Sequence, residues 1–172
     1  MTTSKALTAI GKATELRVMQ WIDGAGNNRA PLNLAEMGST LKILYCFQHW
    51  CAGCHSIGFP TLQRLVPALE PLGARFAVVQ TVFEGFKENT FDRLRENQQR
   101  YSLDLPFGHD AVTGRQSTIM EDYRTGGTPW FILINAENEV VFSDFHINAE
   151  SLIEYMQARR DVILQNQTTH SS

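Results

Sequence analysis

The sequence lacks the marks of several large classes of protein. It has no basic run and no basic face: 15 Lys and Arg stand against 18 Asp and Glu, for a net charge of −3 and a pI near 5.9. No nucleic-acid or membrane-surface partner is therefore expected. It has no long apolar run either. The longest are short strands such as residues 130–134, far below the roughly 20 residues that a spanning helix needs, so no membrane span is expected. Residues 1–20 are broken by Lys5, Lys12, Glu15 and Arg17 and hold no continuous apolar core of a secretory leader. This reading gives a cytoplasmic protein. No flavin or nicotinamide fingerprint, internal repeat or interdomain linker is found. No cofactor is expected.

Cysteine is scarce, with three residues, at 46, 51 and 54. A disulfide between Cys51 and Cys54 would close almost no chain and constrain the unfolded state little, so a structural staple is a poor explanation. In a reducing compartment a close pair is more plausibly catalytic or metal-binding.

The remaining composition is that of a globular chain. Of 172 residues, 43% are apolar and 19% charged, enough for one domain with a sizeable core. Residues 1–14 read as a loose arm, 15–160 as the domain, and 161–172 as a polar tail whose last stretch, 165–172, is expected to be disordered. Strands are expected over 16–22, 41–47 and 76–83, and a short helical turn over 32–37. A helix is expected over 51–69, with Ile57, Leu62, Leu65, Val66 and Leu69 inward and Pro60 kinking or dividing it. Residues 85–127 read as an insert with helices over 91–101 and 117–123 and a short strand over 105–107. Its charged run, 93–100, reads as a solvated helix face. A hairpin follows, 130–134 with 140–145, then a helix over 149–160 with Leu152, Ile153 and Met156 inward.

Two segments carry chemistry. Trp50-Cys51-Ala52-Gly53-Cys54-His55 follows a buried strand and opens a helix. Free N–H groups and the positive dipole end there favour a thiolate at Cys51. Cys54 lies one turn later, placed to attack a mixed disulfide at Cys51, and the small Ala52 and Gly53 leave Cys51 accessible. The second segment is Gly126-Gly127-Thr128-Pro129-Trp130, just before a strand. A cis Thr128-Pro129 bond would leave nearby backbone groups free to pair with an extended substrate, although most X-Pro bonds are trans.

Four stretches, LKILYCFQHWCAGC, Pro60, YSLDLPFGHD and GGTPWFILINAENEVVF, resemble the thioredoxin superfamily, and within it the TlpA-like and redoxin branch. The resemblance runs over residues 16–156. It implies an α/β thioredoxin-like fold with a central mixed sheet flanked by helices. It also implies an extra strand and helix between the CxxC helix and the cis-proline strand. The implied activity is dithiol–disulfide exchange, with catalytic Cys51 and Cys54 and with Trp50, Ala52, Gly53, Thr128 and Pro129 against the substrate. The implied partners are a protein or small-molecule disulfide and a thiol electron donor. The chain departs from the family at Tyr45, where a buried acid is usual, with Glu84 a possible substitute. It departs also in its Ala-Gly dipeptide and in a Pro60 one residue farther on.

Other readings stand beside this one. Cys51 and Cys54 are too few for a structural zinc site; a looser metal site would recruit His55 or His146. A peroxidase of the same fold would carry Thr where Gln48 stands. The pair could be vestigial in a partner-binding domain. Cys46 reads as core. His49 and His55 either lower the Cys51 pKa or are solvated surface histidines; Trp50 and Trp130 either flank the site or pack in the core. His109 carries no signal of its own.

Overall fold

The computed structural model describes residues 7–170. Eight strands form one sheet: β1 (Gly11–Lys12), β2 (Gln20–Ile22), β3 (Asn28–Arg29), β4 (Lys42–Phe47), β5 (Arg75–Val82), β6 (Phe107–Ala111), β7 (Trp130–Ile134) and β8 (Glu139–Asp144). Four α-helices accompany them: α1 (Phe59–Leu69), α2 (Arg93–Arg100), α3 (Thr118–Tyr123) and α4 (Ala149–Thr169). The sheet order is β1-β8-β7-β4-β5-β6-β2-β3. Strands β4, β5 and β6 run parallel, and the remaining pairings are antiparallel.

The run LKILYCF, apolar but for Lys42, makes β4 a central strand because both its faces are covered. Ile43, Tyr45 and Phe47 join a core with Phe59, Leu62 and Leu65 of α1 and Leu152 and Ile153 of α4. Leu44 and Cys46 point the other way, into a core with Leu34, Met37 and Ile119. Lys42 is buried at the far end of β4, where its ammonium donates to Asn138 Oδ1 at 3.1 Å.

Several expectations need correction. The strand expected over 16–22 is regular only over Gln20–Ile22. Residues 1–6 of the expected arm lie outside the described residues, but residues 11–12 pair with β8 through backbone bonds that ask nothing of side chains. The insert's strand is later and longer than expected, at Phe107–Ala111. Its Gly108 admits the Trp21 indole, which would lie 2.9 Å from a Cβ there. Helix α2 is not simply solvated, since Leu94, Asn97 and Gln98 are buried. The tail is helical through Thr169, with Val162, Ile163 and Leu164 exposed; residues 171–172 lie outside the described residues. Among the described residues, no helix is long and apolar enough to cross a membrane.

Candidate functional site

β4 ends at Phe47, and the turn from Gln48 to Cys51 closes when Cys51 N–H donates to the Gln48 carbonyl at 3.1 Å. Cys51 and Cys54 are joined in a disulfide with Cα atoms 5.3 Å apart. Cys51 is half-buried and Cys54 wholly buried. The Cys51 sulfur also accepts the backbone N–H of Cys54 at 3.2 Å. A helix begins at residue 52, so the accessible sulfur sits where unpaired N–H groups and the positive dipole end favour a thiolate.

The helix does not run evenly. Residues Cys54–Gly58 form a π turn before α1, with Phe59 N–H donating to the Cys54 carbonyl. Tyr45 explains it. This fully buried tyrosine donates its hydroxyl to the same carbonyl at 3.0 Å. Its phenol fills the space beside Gly58, where a Cβ would lie 2.1 Å from the Tyr45 oxygen and 2.9 Å from Pro129 Cβ. A side chain inserted into the helical ladder produces such a bulge, and Pro60, lacking an N–H, also leaves the carbonyl of Ser56 without its helical donor. The expected division of the helix is thus present but begins before Pro60. The extra residue in the turn also shifts the helical phase. Ile57, expected inward, is 50% exposed.

The Thr128-Pro129 bond is cis. Pro129 is buried against the motif, with its Cδ 3.5 Å from where a Gly53 Cβ would stand. Thr128 is half-buried and Ala52 exposed. Trp50 is 47% exposed, with its indole over Gly85, where φ is +57° and a Cβ would come within 2.7 Å of the ring. The structure therefore brings Trp50, Ala52, Gly53 and Pro129 around the disulfide.

Tyr45 does not take over an acid's role. Burial pushes its phenol well above the ordinary tyrosine range, and its proton is committed to the Cys54 carbonyl. Glu84 is exposed, which removes it as a buried proton acceptor. Gln48 is buried and its Oε1 accepts Phe83 N–H at 3.2 Å. Cys46 lies on the opposite face of the sheet from Cys54, so a resolving role for it is excluded; burial pushes its thiol far up. Among the described residues, no group of three or more His, Cys, Asp or Glu is placed to hold a metal.

The histidines flanking the motif are both engaged. His55 Nε2 lies 2.6 Å from the His49 carbonyl and its Nδ1 lies 2.5 Å from the Tyr101 hydroxyl. Asn97 Nδ2 donates to His49 Nδ1 at 3.1 Å. Burial, assisted by Arg93, lowers the His49 pKa. Gln80 Oε1 accepts His49 N–H at 2.9 Å, and Asn89 Oδ1 accepts Trp50 N–H at 3.1 Å. Sequence reasoning missed Gln80, Asn89, Asn97 and Tyr101. One signal was present: Gln80 is a polar residue inside the apolar strand FAVVQTVF, where burial demands a partner.

The fold agrees in three dimensions with solved structures. The chain has the thioredoxin-like fold. A thioredoxin-like superfamily protein of 27% identity matches it with a TM-score of 0.75, over 87% of this chain and 95% of that one. A thiol–disulfide isomerase from Corynebacterium glutamicum matches with 21% identity and a TM-score of 0.74, over 87% of this chain and 96% of that one. A secreted Mycobacterium tuberculosis disulfide oxidoreductase homologous to E. coli DsbE matches with 15% identity and a TM-score of 0.58, over 81% and 95%. No protein-family model and no curated protein matches the chain. The segment between β5 and β7 holds α2, β6 and α3, and β6 is an internal strand of the sheet, between β5 and β2.

Proposed function

We propose that the protein is a thiol–disulfide oxidoreductase that reduces protein disulfides through Cys51 and Cys54. The observation that carries this reading is the disulfide between a half-buried Cys51 and a buried Cys54 at a helix start, beside Pro129. In the reduced protein the Cys51 thiolate attacks one sulfur of a substrate disulfide. A Cys51–substrate bond forms and the first substrate thiolate leaves. Cys54 then gives up its proton and attacks the Cys51 sulfur. The Cys51–Cys54 bond forms, the second substrate thiolate leaves, and two electrons have passed to the substrate.

A thiol donor returns the pair to the dithiol. Reduction is the proposed direction because a cytoplasmic location, expected from the sequence, is reducing. Thr128, beside Pro129, is proposed to offer its backbone to an extended substrate chain. Ala52 and Gly53 leave room for that chain, and the exposed Trp50 gives it an apolar contact.

The test is reduction of insulin driven by dithiothreitol. The reduced protein accelerates it, and Cys51→Ser abolishes the acceleration. Full activity in Cys51→Ser, or efficient turnover of micromolar hydrogen peroxide in place of insulin, overturns the reading.

A further inference from the structure

Three elements converge on His49, inside the turn that leads into Cys51. Gln80 of β5 accepts its amide N–H, Asn97 of α2 donates to its ring, and His55 contacts its carbonyl. A carbonyl only accepts, so His55 Nε2 carries a proton. The other ring nitrogen meets the Tyr101 hydroxyl at 2.5 Å. A phenol both donates and accepts, so that contact is available whether or not His55 is charged.

Tyr101, which ends α2, is itself fixed. Its ring stacks on Phe59 at 4.0 Å and 9°, and its carbonyl accepts from Gln63 Nε2 at 2.9 Å. A continuous chain of contacts thus runs from α1 through Tyr101 and His55 to the backbone two residues before Cys51.

We propose that Tyr101 is a positioning residue for Cys51, acting through His55 on the His49 carbonyl. The insert then does more than extend the sheet. The end of its helix α2 sets the backbone that presents the redox sulfur. This rests on the redox reading given above and adds to it a determinant of reactivity that contacts neither sulfur.

The decisive variant is Tyr101→Phe. It keeps the stacked ring, removes the hydroxyl, and leaves in place Arg93, Glu96, Arg100 and His55, the charged and titratable groups that act on His49. Two readouts on the protein are used: the pH profile of Cys51 alkylation by iodoacetamide in the reduced form, and the equilibrium of the pair with reduced and oxidised glutathione. Tyr101→Phe is expected to change each by about two- to tenfold, the range that one hydrogen bond spans. His55→Leu is expected to change them at least as much, and adding Tyr101→Phe to it to change nothing further, because the hydroxyl acts through the ring.

Wild-type values in Tyr101→Phe overturn the proposal. So does a Tyr101→Phe effect that persists in full in the His55→Leu background. Failure of the redox reading itself is separate: it would appear in the wild-type protein as no exchange with glutathione.

Discussion

Gly58→Ala isolates the packing that shapes the redox helix. Gly58 has φ −63° and ψ −58°, an ordinary helical conformation. Helix propensity alone would therefore favour alanine by about 1 kcal/mol. The new methyl, however, would sit 2.1 Å from the Tyr45 oxygen, 2.8 Å from Tyr45 Cζ and 2.9 Å from Pro129 Cβ. The phenol moves aside only against resistance, because its ring packs against Phe131 at 4.9 Å and Phe59 at 5.0 Å. Overpacking of this kind costs about 1–3 kcal/mol, and a displaced Tyr45 loses its bond to the Cys54 carbonyl, about 1 kcal/mol more. After the propensity gain, a net destabilisation of about 1–3 kcal/mol is expected.

Urea unfolding reads this as a lower midpoint at unchanged slope. Tyr45→Phe alone should cost about 1 kcal/mol, since the Cys54 carbonyl still accepts Phe59 N–H. With the hydroxyl gone the tightest clash is relieved, so the double variant should cost less than the sum of the single ones. A Gly58→Ala protein as stable as wild type, or strict additivity with Tyr45→Phe, would refute the reasoning.

The other expectations concern pH and thiol exposure. Burial lowers the pKa of both His49 and His109 below the ordinary 6.5. The unfolded chain then binds more protons than the folded one as pH falls through 6.5, so stability drops on acidification. Urea midpoints at pH 7 and pH 5.5 should show the drop, and His109→Gln, which keeps an acceptor for Gln80, should shrink it; no pH dependence across that window would count against it. Cys46 should stay silent in the native fold: the reduced protein titrates two thiols with a chromogenic disulfide and three only in denaturant, whereas three in the native state would contradict its burial.

The sequence made part of this legible for physical reasons. Strands β4, β5 and β7 are largely apolar runs of strand length bounded by turn residues, and such runs report burial directly; β8 was legible from its hairpin turn with β7. The redox pair was legible because its chemistry depends on a four-residue spacing at one strand-to-helix junction. What escaped depends on distant partners. The π turn arises from Tyr45 reaching under Gly58, 13 residues apart in sequence, and no local pattern announces it. The polar run of α2 looked solvated because Asn97 and Gln98 are polar, yet both are buried: Asn97 Nδ2 donates to His49 and to the Arg93 carbonyl, and Gln98 Nε2 donates to the carbonyls of Asp23 and Leu105. Strand β1 escaped because its pairing with β8 is made by backbone alone.

The central claim is that Cys51 is the attacking sulfur and Cys54 the one that resolves. Cys54→Ser tests it most directly, since the mixed disulfide can form but cannot be released by the protein itself. Incubated with oxidised insulin and analysed by mass spectrometry after non-reducing digestion, this variant should carry an insulin chain bound covalently at Cys51. Absence of the adduct, or its appearance at Cys46, would contradict the account.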